Sequence, residues 1–214
     1  MSGKFQNVPP GWDYNPAAWS QRLPIVGAAV VGFGIAMYLS LYQWEVFGRV
    51  WDPFFGDDGP FGGGSREILR ESGISQKTIR FLGVPDAFLG ALGYLADAVA
   101  GVIGPARRWR TMPWIVLLFA VFVGPLGLVS ILLVVAQPVL YDAWCSLCVA
   151  TAVISVAMIG PAMDEALASL QHLKREHERG RSLWRAFWGL GDRGEPRDVH
   201  AIAHEAGGRA EGRA

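Results

Sequence analysis

Residues 139–148 read Val139-Leu140-Tyr141-Asp142-Ala143-Trp144-Cys145-Ser146-Leu147-Cys148. The only charge in this stretch, Asp142, separates two long uncharged runs, Thr111 to Tyr141 and Ala143 to Met163. Each run is long enough to cross a hydrocarbon core of ~30 Å. The stretch therefore reads as a short turn between two spanning helices, with Gln137-Pro138 expected to stop the first, since Pro cannot donate the next hydrogen bond. The turn also carries the only two cysteines of the chain. A Cys145-x-x-Cys148 pair is a dithiol that can close into a disulfide. Its position points to thiol–disulfide chemistry at a membrane face.

Working outward, Leu23 to Trp44 is a further uncharged run, too long and too poorly flanked for a cleaved signal peptide. Val84 to Gly104 is rich in Gly, Ala and Leu but contains Asp86 and Asp97. Asp86 suits a helix start, where the dipole favours an anion. Asp97 must face the protein interior, lie near the far interface, or be protonated, because a carboxylate in mid-span costs ~2.5–3.5 kcal/mol. The small residues Gly90, Ala91, Gly93, Ala96, Ala98, Ala100 and Gly101 allow neighbouring helices to approach closely. The expected fold class is an all-α integral membrane protein, a four-transmembrane-helix bundle. Its spans lie at about 24–44, 84–104, 112–137 and 144–163, between an N-terminal segment 1–23 and a tail 164–214.

Orientation follows from Lys and Arg. Lys4 and Arg22 precede the first span; Arg107, Arg108 and Arg110 fill the second connection; Lys174, Arg175, Arg179, Arg181 and Arg185 follow the last. These regions are expected in the cytoplasm, with both termini, in a multi-pass protein of the cell's inner (cytoplasmic) membrane. The first loop is mild contrary evidence: it carries five basic residues against six acids, and acids count little. The loop and the cysteine pair then lie outside, where stable disulfides are permitted. The zero formal net charge of the 214-residue chain argues against general nucleic-acid affinity.

The first loop turns repeatedly through Asp57-Asp58-Gly59-Pro60 and Gly62-Gly63-Gly64. Ser65 is expected to cap a short helix, Arg66 to Glu71, which makes the extracytoplasmic loop partly helical. Trp51, Phe54 and Phe55 suit interfacial anchoring or the cover of a site. The glycine run lacks the Lys-Ser/Thr ending of a phosphate loop. In the tail, Asp164-Glu165 suggests a new helix start, and Ser182 to Leu190 reads as an amphipathic segment on the cytoplasmic membrane surface. The last residues have a composition that favours disorder. His172 and His177, and His200 and His204, lack the acid or cysteine partners of a metal site; no metal is expected.

The cysteine pair itself leaves several readings. Zinc needs four ligands, and haem attachment needs His where Val149 stands. Two buried structural cysteines remain possible. Redox activity is favoured by the helix start, whose free N–H groups stabilise a thiolate.

At this point the sequence resembles the vitamin K epoxide reductase family. Val139 to Cys148 is similar to its active-site segment. Ser65-Arg66-Glu67-Ile68-Leu69-Arg70-Glu71-Ser72 is similar to the helix after its loop cysteines. Gly83-Val84-Pro85-Asp86-Ala87-Phe88-Leu89-Gly90-Ala91-Leu92-Gly93-Tyr94-Leu95 is similar to the start of its second span in bacterial members. The resemblance covers about residues 24–163, in order. It implies a four-helix bundle around a quinone, menaquinone or ubiquinone, in the lipid bilayer. It also implies a thioredoxin-like thiol partner outside the cytoplasm, and so a membrane thiol:quinone oxidoreductase that supports disulfide formation. Carried over, Cys145 exchanges disulfides with the partner and Cys148 faces the quinone; no quinone-binding residues are assigned. The family usually has two further loop cysteines as a shuttle. Here Gly64 stands just before Ser65 and the loop has no cysteine. A partner then reaches Cys145 directly, or a second protein supplies the thiols, or the chain is a non-catalytic relative used in binding or assembly.

Overall fold

The structure, a computed structural model, describes residues 8–61 and 64–190. Among them the regular structure is helical. The elements are α1 (Trp19–Gln43), α2 (Gly64–Arg66), a π-helical segment (Glu67–Glu71), α3 (Gly73–Leu82), α4 (Asp86–Val102), α5 (Arg108–Thr111), α6 (Pro113–Tyr141), α7 (Ser146–Glu178) and α8 (Leu183–Phe187). By length and composition α1, α6 and α7 can each cross a membrane. The 17-residue α4 meets the preceding loop helices at a 74° bend, and with them makes a candidate fourth crossing.

The four long helices pack around Ala29, Ala36, Ala91, Tyr94, Phe119, Val123, Met158 and Ala162. The alanines and glycines set the spacing. A Cβ on Gly32 would lie 2.6 Å from the Tyr94 ring, and one on Gly101 2.5 Å from Val26. Side chains seated this close on the glycines leave no room for a Cβ, so van der Waals contact replaces the hydrophobic drive that lipid does not supply.

One end of the bundle is tied by two buried arginines. The last carbonyls of α4 have no partner within the helix and carry its negative pole. Arg22 of α1 donates to the Gly101, Ile103 and Gly104 carbonyls at 2.5–2.9 Å. Arg108 of α5 donates to Ala100 and Ile103, and also pairs through two bonds with Glu165 of α7, at 2.5 and 2.6 Å. One helix end thus holds three other helices.

Three expected boundaries differ. Pro138 does not stop α6, which continues to Tyr141. The missing proline N–H loosens only one backbone bond, and the helix ends a turn later at Asp142, in left-handed backbone (φ 48°). Asp164-Glu165 does not start a helix, because α7 runs unbroken for 33 residues through Pro161. At 1.5 Å per residue that is ~50 Å, well beyond a ~30 Å hydrocarbon core. The extension is held by Glu165 on Arg108, by the Tyr14 hydroxyl on Asp164 at 2.6 Å and by the Trp12 indole on Gln171 at 3.0 Å. Ser65 does not cap a Arg66–Glu71 helix. It lies inside α2 and gives its hydroxyl to Asp52, while Glu67–Glu71 is π-helical. The cap is Ser72, which accepts from Ser75 N–H at the start of α3.

Asp86 is the first residue of α4. Asp97 faces the interior, 1% exposed, and neither oxygen has a hydrogen-bond partner among the described residues. In the tail, Trp184, Phe187 and Trp188 of the α8 region stack on one another and reach Trp114 at the start of α6. His172 packs edge-on against Trp109. His200 and His204, and the segment read as disordered, lie outside the described residues.

Candidate functional site

The site lies at the end of the bundle opposite Arg22 and Arg108, where the α6–α7 turn meets the first loop. Cys145 is the N-cap of α7 and Cys148 lies in its first turn. The two are joined by a disulfide, with Cα atoms 5.3 Å apart. Helix geometry places residues i and i+3 on one face, which is why this spacing closes readily. The Cys145 sulfur accepts the Cys148 N–H at 3.2 Å, so one sulfur already occupies the positive end of the helix.

The two sulfurs have different surroundings. Cys145 is fully buried. Its own N–H donates to the Gln137 side-chain oxygen at 3.0 Å. Gly64, at the start of α2, lies so close over the turn that a Cβ there would be 2.7 Å from the Trp144 carbonyl oxygen. Cys148 is half-buried and lines a partly open cavity of about 110 Å³ between α1, the π-helical segment, α4, α6 and α7. The walls are mainly apolar, including Leu39, Ile68, Leu133 and Val134, with polar groups from Ser72, Asp86, Ser130, Gln137, Tyr141 and Thr151. Its size is of the order of the ~150 Å³ apolar cavity that holds a benzene ring. Apolar walls with a few convergent polar groups are what a small ring ligand needs.

Gln43 of α1 builds the roof. Its amide donates to the Leu69 carbonyl (2.9 Å), the Ser75 hydroxyl (2.8 Å) and Asp86 (2.5 Å), and its oxygen accepts from Ala87 N–H. Arg70 donates to the Tyr42 and Phe47 carbonyls and lies over the Tyr42 ring, 3.9 Å from its centre. The Tyr141 hydroxyl accepts from Ile74 N–H at 3.2 Å, which anchors α3 to the end of α6. Deeper in, the Tyr94 hydroxyl meets the Thr151 carbonyl at 2.6 Å and the Ser155 hydroxyl at 2.7 Å.

Asp52 joins the loop to the cysteine helix. One oxygen accepts from the Phe54 and Phe55 N–H groups (both 3.0 Å) and the Ser146 hydroxyl (2.5 Å). The other accepts from the Ser65 hydroxyl (2.7 Å), Ser146 N–H (2.8 Å) and Leu147 N–H (3.4 Å). Burial pushes this carboxyl up, but the bonds from Phe55, Ser146, Ser65 and Phe54 together outweigh it and hold it below its ordinary value of 3.8. The sign follows: the stabilisation is present above pH 3.8 and is lost as the pH falls through the lower, folded-state value. Acid is therefore expected to release the loop. Limited proteolysis between Trp51 and Phe61 should accelerate below that pH, and Asp52→Asn should remove the dependence.

Of the residues singled out from sequence, Cys145 and Cys148 meet at the helix start, Tyr141 joins Cys148 at the cavity, and Asp142 is exposed. Trp51 and Phe54 are exposed, whereas Phe55 stacks on Phe61 beside Gly64 and Trp144. Gln43, Asp52 and Gln137 were not singled out. The one available signal was a polar side chain within or just beside an apolar run, which must find a partner when buried.

The model of the vitamin K epoxide reductase family matches residues 23–162. Neither the curated proteins nor the solved structures give a match.

Proposed function

As the chain belongs to the vitamin K epoxide reductase family, we propose that it is a thiol:quinone oxidoreductase of the cytoplasmic membrane with an altered electron entry. Family membership makes it an oxidoreductase in general, and its apolar helices make it a multi-pass membrane protein. The finer reading rests on one observation: Cys148, half of the only disulfide among the described residues, borders an apolar, ring-sized cavity.

A quinone in that cavity would supply a two-electron, two-proton acceptor. The chain's residues do the rest. A thiolate from a thioredoxin-like partner attacks the Cys145 sulfur, breaks the Cys145–Cys148 bond and forms a mixed disulfide. A second partner thiol resolves it and leaves both cysteines reduced. Cys148 then delivers the electron pair to the acceptor as the disulfide re-forms, and the two thiol protons balance the acceptor's uptake. The apolar walls exclude water, while the Tyr141 hydroxyl and the Gln137 amide would donate to polar oxygens; the Ser130 and Thr151 hydroxyls already donate to the Leu126 and Cys148 carbonyls. The helix start stabilises the sulfur that becomes anionic.

In this reading α1, α4, α6 and α7 are four spans with both termini in the cytoplasm. The end with Arg107, Arg108 and Arg110 faces inward by the positive-inside rule, and the cysteine end faces the oxidising side. The test is direct. Purified protein with a dithiol and a short-chain quinone should form quinol in proportion to thiol consumed, and absence of quinol at any protein concentration would remove the proposal.

The burial of Cys145, with no cysteine in the loop, favours a second reading: a non-catalytic relative used in binding or assembly. Full cellular function in a Cys145→Ser/Cys148→Ser strain would support it, and loss of function would end it.

A further inference from the structure

A partner thiol must reach Cys145, yet Cys145 is fully buried. What covers it is specific. Gly64 rests on the Trp144 backbone, and Asp52 clasps Ser146 and Leu147 from the loop side while holding Ser65, Phe54 and Phe55 in place. We propose that Asp52 is the positioning residue that latches the first loop over the cysteine pair and competes with the Cys145 sulfur for the same helix start. The inference deepens the oxidoreductase reading and rests on it.

The competition is electrostatic, because the two groups share one helix start while using different donors. A helix start offers only a few unpaired N–H groups. The Cys145 sulfur takes that of Cys148, while Asp52 takes those of Ser146 and Leu147. When the disulfide is intact both sulfurs are neutral, and the carboxylate sits at the positive helix end unopposed. When the pair is reduced, a Cys145 thiolate and the Asp52 carboxylate are two anions at one site, and each disfavours the other. Reduction therefore weakens the latch, and the latch in turn restrains reduction. The other charged groups near the turn are Asp142 beside it, Arg66, Glu67 and Glu71 around the cleft at Trp144, Arg49 and Asp58 around the cleft at Asp52, and Asp86 across the cavity from Cys148. Neither α6 nor the part of α7 before Asp164 carries a charge.

Two consequences separate the charge from the mechanical cover. Removing the charge stabilises the thiolate, and hence the reduced pair, which makes the disulfide a stronger oxidant. Loosening the cover without removing the charge exposes Cys145, which speeds its reaction at every pH and, by relieving desolvation, shifts its acidity less than removal of the charge does.

The experiment uses purified full-length protein carrying Cys148→Ser, so that Cys145 is the only thiol. Its reaction with a charged iodoacetamide is followed across pH. Adding Asp52→Asn is expected to move the midpoint of the rate profile about one pH unit lower. Adding Ser65→Ala instead is expected to raise the rate severalfold at every pH, including above the midpoint, with a smaller shift of the midpoint. In protein with both cysteines, Asp52→Asn should shift the equilibrium with a glutathione buffer toward the reduced pair by up to about tenfold. An unmoved midpoint and an unmoved glutathione equilibrium in Asp52→Asn would overturn the competition. An unchanged rate in Ser65→Ala would overturn the latch. Neither measurement contains a quinone, so failure of quinone reduction is a separate result.

Discussion

Arg108→Ala is expected to destabilise the protein by about 3–5 kcal/mol, the usual cost of stranding one member of a buried ion pair. Both side chains of the Arg108–Glu165 pair are 2% exposed. The deletion leaves the Glu165 carboxylate without its cation in a packed interior, and also removes donors from the Ala100 and Ile103 carbonyls at the end of α4. The check is thermal unfolding in detergent, followed by tryptophan fluorescence. Glu165→Gln should cost less, because the amide still accepts a bond from the guanidinium, although Arg108 and Arg22 lose their anion. Replacing both residues with Met should recover part of the loss, since the pair itself leaves no stranded charge, though buried Arg22 then loses the nearby Glu165 anion and the α4 carbonyls stay short of a donor. The exposed Lys174–Glu178 pair sets the scale for comparison. Lys174→Ala should cost under about 1 kcal/mol, and an Arg108→Ala effect that small would show that the pair does not hold the bundle.

The location of that pair explains what could be read from the sequence and what could not. The uncharged runs were legible because hydrocarbon imposes a length and a composition on any crossing segment. The family was legible because three short segments keep their order. Helix ends were not, because the loss of hydrophobicity at Asp164 marks a change of surroundings rather than the end of backbone bonding. The α7 extension depends on Tyr14, Trp12 and Arg108, residues 150, 159 and 57 positions away. The same holds for the site. A CxxC at a helix start is a local pattern. Asp52 finds Ser146 across 94 positions and Gln43 finds Asp86 across 43, and no periodicity reports such pairings.

Cys148→Ser and Cys145→Ser are each expected to lower dithiol-driven quinone reduction by on the order of a hundredfold or more, to the uncatalysed background. A two-electron exchange through an internal disulfide needs both sulfurs. The double variant should therefore be no worse than either single one, as for any residues that act as a unit. The variants should differ in their single-thiol chemistry. In Cys145→Ser the remaining Cys148 borders the cavity, so an uncharged, ring-sized maleimide should label it faster than a charged one. In Cys148→Ser the remaining Cys145 lies under the loop, out of contact with solvent, so both reagents should react slowly unless Asp52 or Ser65 is also changed. Added quinone should slow labelling of Cys148 by occupying the same cavity and leave labelling of Cys145 unaffected. Protection of Cys145 instead would reverse the two roles, placing the acceptor beside the buried sulfur and the electron entry at the cavity.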